Sequence, residues 1–219
     1  RRSGSDGVLC WPRSGRAASA ARNSVRGYHG LRGNESLLSL CHVGQRIIGM
    51  EALLNVVELR VLGALIEKKI TTPEYYPLTL NSVTTACNQK SNRDPVVSLE
   101  EKAVARALEG LREKGLARQV SGVDMRVPKH YHLFDEKMCL TRPQIAALCV
   151  LMLRGPQTVG EIRGRSGRLY EFTDLEEVER VLMELVERSE GALVVRMARQ
   201  PGRKESRYAH VLMGEPEQD

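Results

Sequence analysis

Apolar residues fall into a helical pattern from about Val56 onward. Leu59, Leu62 and Ile66 lie on one face of a helix at this spacing. Thr71-Thr-Pro73 is predicted to end the helix, because proline lacks an amide N–H and restricts the residue before it. The first regular element is therefore a long amphipathic helix.

Two further helices and a hairpin follow. Leu78 to Cys87 is predicted to form a short helix. Ser98-Leu-Glu-Glu101 has the pattern of a capping box that opens a long third helix, and Gly115 is suited to end it. Leu116 to Val120 and Lys129 to Phe134 are then predicted to be the strands of a β-hairpin.

The same order of elements occurs a second time. The apolar positions of the first helix recur 86 residues later, from Ile145 to Met152, after a capping segment Thr141–Gln144. Thr158-Val-Gly-Glu161 opens a short helix, and Asp174-Leu-Glu-Glu177 matches the cap of the third helix at an offset of 76. A hairpin with strands between Ala192 and Met213 completes the copy. The fall in offset from 86 to 76 means that the first copy has about ten extra residues between its first and third helices. Matching elements in the same order indicate a repeated structural unit.

Three helices and a hairpin in this order are typical of a winged helix. The predicted fold class is therefore mainly α with small β-hairpins (α+β), in two tandem winged-helix domains. We expect the domains to span 50–138 and 139–213, with a C-terminal tail at 214–219. We also expect them to be separate folding units joined near Asp135–Leu140.

Residues 1–49 differ from the repeated region. They contain eight Arg and two acids, lack lasting periodicity and precede Met50, the first methionine. An organellar transit peptide has such a composition, but we favour a disordered or non-native extension that is dispensable for folding. The remaining residues hold 25 basic and 25 acidic side chains, so the net charge of +6 comes from residues 1–49. This net charge therefore gives no evidence that the repeated region binds nucleic acid.

Several function classes lack their sequence signature. The longest apolar run, Ile145 to Leu153, is far shorter than the roughly 20 residues of a membrane-spanning helix, so no membrane association is expected. The five cysteines form no CxxC pair, which fits a reducing compartment and predicts a cytoplasmic protein. His130 and His132 have no evident third ligand, so no metal site is expected. No catalytic constellation or phosphate loop is evident, and we expect neither an enzyme nor a cofactor.

A polar loop between the second and third helices is the candidate nucleic-acid contact of the first copy. Asn and Gln can read adenine, Arg can read guanine, and Lys or Ser can hold phosphate. Alternatively, Asn and Ser cap helix ends and Arg93 pairs with Asp94. The candidate residues are Asn88, Gln89, Lys90, Ser91, Asn92 and Arg93.

Positive charge in the second copy lies on its short helix and its hairpin. The hairpin tip could approach a phosphate backbone or a minor groove, although a solvated tip would have the same composition. Both third helices begin with acids, such as Glu101 and Glu177, which counts against ordinary groove reading. The candidate contacts are Arg163, Arg165, Arg199, Arg203, Lys204 and Arg207.

The chain resembles the YceH-like family of bacterial proteins, whose function is uncharacterised. The resemblance covers roughly Leu54 to Leu212 and implies a tandem winged-helix fold without catalytic residues to carry over. It rests on these segments: Ile66-Glu-Lys, Thr72-Pro73, Tyr76-Pro-Leu78, Asn88–Arg93, Leu153-Arg-Gly-Pro-Gln157, Tyr170-Glu-Phe172, Pro201-Gly-Arg203 and Arg207-Tyr-Ala-His210.

Two hypotheses of function remain open. The first is a DNA-binding, transcription-regulatory protein that uses the polar loop and the basic wing on double-stranded DNA. The second is a winged-helix module that binds a protein partner, or a second copy of itself, and no DNA. Neutral charge and acidic third helices favour the second hypothesis; analogy with winged-helix folds favours the first.

Overall fold

The computed structural model describes residues 54–122, 126–199, 202 and 204–216. All of them belong to one compact unit, Gln45–Asp219. The predicted extension 1–49 and the wing residue Arg203 lie outside the described residues.

The first copy has the predicted order of helices and hairpin, with a short strand added before the second helix. Its elements are α1 (Val56–Thr71), a 3-10 turn (Pro73–Tyr75), β1 (Leu78–Thr79), α2 (Leu80–Cys87), α3 (Glu101–Glu113), β2 (Ala117–Val120) and β3 (Lys129–His132). The strands form an antiparallel sheet in the order β1-β3-β2.

The third helix begins later than predicted. Its N-cap is Glu100, which makes no side-chain cap hydrogen bond, so the proposed capping box at Ser98 is wrong. The reason lies 11 residues upstream, where the Asn88 side chain accepts from Leu99 N at 2.8 Å and donates to Leu99 O at 2.9 Å. This pair of hydrogen bonds holds the Leu99 backbone groups outside the helical ladder.

The second copy follows a short linker helix that was not predicted. Phe134, the first residue of that helix, is completely buried. The elements are the linker helix α4 (Phe134–Lys137), α5 (Arg142–Arg154), α6 (Val159–Ser166), α7 (Leu175–Val186), β4 (Val194–Arg196) and β5 (Tyr208–His210). β4 and β5 pair antiparallel, and the isolated bridge between Gln157 and Tyr208 takes the place that β1 has in the first sheet.

The predicted caps of the second copy are confirmed. Thr158 Oγ1 accepts from Glu161 N at 3.2 Å, while Thr158 N donates to Glu161 Oε2 at 2.9 Å. Asp174 Oδ1 accepts from Glu177 N at 2.7 Å at the start of α7. These side chains satisfy amides that the first helical turn leaves without partners.

The two copies share one hydrophobic core. Leu108 in α3 and Leu182 in α7 are both buried. They belong to a single cluster that also includes the facing residues of α1 and α5. A Cβ built on Gly63 of α1 would lie 2.9 Å from Leu153 Cδ2, so the absence of a side chain there allows the close approach of α5. This packing favours cooperative unfolding of the two copies, and the domain bounds stay a prediction.

No helix within the described part of the chain is long and apolar enough to cross a membrane.

Candidate nucleic-acid interface

Arg93, a candidate base-reading residue, lies in the interior. Its side chain is 0% exposed, and Nη2 and Nη1 contact Glu67 Oε2 at 2.6 Å and Oε1 at 3.1 Å. Nη2 also donates to Ala86 O at 2.8 Å and to Gln89 Oε1 at 3.1 Å. The ion-pair partner is therefore Glu67 and not Asp94. In this conformation Arg93 anchors the loop to α1 and presents no edge to a base.

The other amides of the polar loop are also engaged. Asn88 holds Leu99, and Gln89 accepts from Arg93. Asn92 has a φ of 57° and accepts from Arg154 Nη2 at 2.6 Å through its Oδ1. The loop therefore connects to the last residue of α5, whereas Lys90 and Ser91 are exposed. Those two residues are the members of the loop available to a nucleic acid.

The polar loop meets the basic helix of the second copy. Asn92 and Arg165, predicted as contacts in different copies, line one cleft of about 270 Å³. Arg165 hydrogen bonds to Gln157 and lies 3.6 Å from Glu161. Arg163, in the same last turn of α6, donates from Nη2 to Thr173 O at 2.8 Å. Three helices (α1, α5 and α6) end beside this cleft, where arginines offset the negative ends of the helix dipoles.

The basic residues of the second wing have different surroundings. Arg207 donates from Nη1 to Glu161 Oε2 and to Pro156 O, each at 2.8 Å. Although burial raises the pKa of Glu161, its bond from the Thr158 amide and the charges of Arg207 and Arg165 outweigh burial and hold that pKa below its usual value. Arg199 and Lys204 are exposed, and no acid of the described residues lies at ion-pair distance from them. Those two side chains are free to contact phosphate.

The first copy has a basic surface that the sequence analysis missed. Arg118 on β2 and Arg126 before β3 are exposed, and Lys129 at the start of β3 is half-buried. The pattern within β2 could have revealed this, since the buried Ala117 places Arg118 on the opposite, outer face of the strand. On α3, Lys102, Arg106 and Arg112 are exposed beside the exposed acids Glu101, Glu109 and Glu113, and Arg112 pairs with Glu109.

A groove lies between α3 and the first wing. Its volume is about 480 Å³, and Val127 at its edge is 51% exposed. The apolar lining residues are Leu80, Ala105, Leu108, Ala117, Val127 and Pro128. Glu101, Glu109 and Arg112 border it. The surface of the first copy thus combines cations with an apolar depression.

The third helix of the second copy is acidic on its exposed side. Arg180 pairs with Glu184 at 3.3 Å, which leaves a surplus of carboxylates. The exposed acids are Glu176, Glu179, Glu184 and Glu187. The exposed charges of α3 balance, whereas those of α7 are mainly negative, so a phosphate backbone repels α7 more strongly than α3.

Neither candidate histidine belongs to a metal-binding cluster in the described residues, where no group of three His, Cys, Asp or Glu could hold an ion. His132 is buried, and burial lowers its pKa to about 4 despite the opposing Asp135 carboxylate. Its Nδ1 lies 3.4 Å from Asp135 Oδ1, outside hydrogen-bonding geometry. His132 is therefore a neutral core residue at neutral pH.

Comparison with known proteins places the sequence among bacterial relatives. A family model described as a protein of unknown function, DUF480, matches residues 54–203. A UPF0502 protein of Geobacter sulfurreducens is 59% identical over 168 residues, covering 77% of this chain and 76% of that protein. A UPF0502 protein of Geobacter metallireducens is 58% identical with the same coverage. A UPF0502 protein of Koribacter versatilis is 56% identical over 164 residues, covering 75% of this chain and 76% of that protein. The chain therefore belongs to the DUF480 family of uncharacterised bacterial proteins.

Proposed function

We propose that this protein binds double-stranded DNA through α3 and the wing of its first copy, with the second wing as an additional phosphate contact. The observation that carries the proposal is the set of exposed cations on α3, β2 and the segment before β3. In winged-helix and related proteins, the third helix enters the major groove while nearby cations hold the phosphates. Arg118 and Arg126 are the side chains best placed for phosphate in the first wing.

The two copies contribute unequally in this proposal. The acids of α7 would be repelled by phosphate, so the second copy contacts DNA through Arg199 and Lys204 and not through its third helix. The Asn88–Arg93 loop acts as a support. Its bonds to α1 and α5 fix the second copy relative to α3, which sets where the second wing lies.

A mobility-shift experiment at two salt concentrations tests the proposal. Mixed genomic fragments should bind the full chain at low salt, with affinity falling steeply as salt rises because counterions are released. The double variant Arg118→Ala/Arg126→Ala should weaken binding to all sequences and reduce the salt slope by about two, roughly one unit per lost phosphate contact.

A charge-matched control separates local contact from net charge. Arg142→Ala/Arg180→Ala removes the same charge from exposed positions of the second copy and should leave the salt slope unchanged. Equal losses in the two double variants would show a non-specific charge effect. No binding of the unmodified chain at low salt would refute the proposal.

The apolar groove beside α3 favours a second candidate, docking of a protein partner that inserts an apolar side chain. Phosphates gain nothing from an apolar depression, whereas an aliphatic or aromatic side chain gains from burial in it. Ala105→Glu would place a charge in the lining. If the protein retains a partner from cell extract, loss of that partner in Ala105→Glu with DNA binding unchanged would assign the groove to protein docking; loss of both would assign it to the DNA surface.

A further inference from the structure

A third cavity lies where the start of α1 meets the second copy. Its volume is about 180 Å³. Apolar side chains form most of the lining. They come from α1, from α5 and from the loop that precedes α3: Val56, Val57, Leu59, Met152 and Leu99. Arg60 of α1 and His210 of β5 are polar groups in the same lining. The cavity thus takes residues from both copies, and none of the proposed phosphate contacts lines it.

Arg60 is a buried cation with no carboxylate at ion-pair distance among the described residues. Its residue is 6% exposed, Nη2 donates to Pro95 O at 2.7 Å, and Nη1 has no hydrogen-bond partner among the described residues. Burial and the neighbouring Arg93 lower the pKa of Arg60, against a weaker attraction from Asp94. A buried charge is costly unless an opposite charge and hydrogen bonds compensate it. An anion in the adjoining cavity would supply both.

His210 adds a second hydrogen-bonding group without a partner. Its Nδ1 is buried and unbonded among the described residues. Burial lowers the pKa of His210 to about 4, so the ring is neutral near pH 7 and can donate one hydrogen bond. The guanidinium of Arg60 and the neutral imidazole of His210 line the same, mainly apolar cavity. They suit a ligand with a negatively charged end and a short hydrocarbon part.

We propose that this cavity binds a small carboxylate, paired with Arg60 and hydrogen bonded by His210, with its short alkyl group against Val57 and Met152. A cavity of about 180 Å³ has room for roughly six water-sized groups at ~30 Å³ each, which suits a short-chain acid. Because residues of both copies line the cavity, the bound acid stabilises their packing against each other. This inference does not depend on DNA binding.

Calorimetric titration of the full chain with sodium butyrate tests the proposal, with butyramide as the uncharged analogue and sodium chloride at equal ionic strength. Butyrate should bind saturably and raise the melting temperature, whereas butyramide and chloride should do neither. Arg60→Met keeps an unbranched apolar stem without the charged end and should weaken butyrate binding about 10- to 100-fold. Arg180→Met, which removes an exposed arginine outside the cavity lining, is the matched control and should bind as the unmodified chain does.

A substitution at Asp94 provides a second test, which remains valid if Arg60→Met does not fold. Its exposed carboxylate borders the cavity and competes for the charge of Arg60. Asp94→Asn should therefore tighten butyrate binding about two- to fivefold. The proposal is overturned if neither the unmodified chain nor Asp94→Asn binds butyrate, if butyramide binds equally well, or if folded Arg60→Met binds butyrate undiminished.

Discussion

Cys149 Sγ donates a hydrogen bond to Gly63 O at 3.5 Å, between residues 86 positions apart. That separation equals the offset between the repeated apolar positions, so the contact joins equivalent sites of α1 and α5. The two helices that open the copies therefore pack on each other at corresponding turns. A Cβ at Gly63 would meet Leu153 of α5, so this close packing requires glycine at that position.

Substitution of two helical glycines should show this requirement. Gly164→Ala in α6 meets open space and should stabilise the protein by about 0.5–1 kcal/mol through helix propensity. Gly63→Ala should lose that gain, because its Cβ would lie 2.9 Å from Leu153 Cδ2 and overpacking costs about 1–3 kcal/mol. Urea unfolding of both variants measures the difference. Equal stabilisation by both changes would mean that α5 yields freely at this position.

Removal of Arg93 should affect stability before it affects any DNA contact. Arg93→Ala leaves Glu67 buried without its ion-pair partner, which should cost about 3–5 kcal/mol of unfolding free energy. Lys90→Ala in the same loop is exposed and should change stability by less than about 0.5 kcal/mol. Chemical denaturation of the two variants compares them. A nearly neutral Arg93→Ala would argue for a mobile loop whose arginine is free to read bases.

Truncation of one leucine in each copy should reveal whether the shared core unfolds as a whole. Leu108→Ala and Leu182→Ala should each cost about 2–5 kcal/mol, since both side chains are buried. Because one hydrophobic cluster includes both, each variant should still unfold in a single transition. Calorimetry of the variants tests this expectation. Two separated transitions would support the independent folding units predicted from the repeat.

Acid should destabilise the protein through His132. Burial depresses its folded-state pKa to about 4, below the unfolded value, so the unfolded state binds more protons between the two values. The resulting stability is fully present above about pH 6.5 and is lost as pH falls toward 4, by up to ~3 kcal/mol at about 1.4 kcal/mol per unit. Unfolding free energy measured across this range in the unmodified chain and in His132→Gln provides the test. An identical pH profile in both proteins would exclude His132 as the cause, and the similarly buried His210 would then be examined by His210→Gln.

Different arginines of the second wing should respond differently to substitution. Arg199→Ala/Lys204→Ala removes exposed charge and should weaken DNA binding to all sequences alike, with the salt slope reduced by about two. Arg207→Ala should instead lower the melting temperature, because it breaks the contacts of Arg207 with Glu161 and Pro156. Mobility shifts and thermal unfolding of both variants separate the effects. A reduced salt slope without loss of stability in Arg207→Ala would place that side chain on phosphate.

Local patterns in the sequence determined the order of the helices, both hairpins and the caps at Thr158 and Asp174. Each of these features depends on residues within one turn of helix or one pair of neighbouring strands, so spacing along the chain is sufficient to predict it. The repeat likewise follows from sequence alone, since equivalent inward faces need equivalent apolar positions.

Tertiary structure decided which polar groups remain available for function. Arg93 has Asp94 beside it in sequence, yet it pairs with Glu67, 26 residues away, because packing of α2 on α1 brings those groups together in the interior. The later start of α3 has a similar origin, since the Asn88 side chain takes the Leu99 backbone groups. Such pairings depend on how helices pack in three dimensions, and the spacing of residues along the chain does not predict that packing.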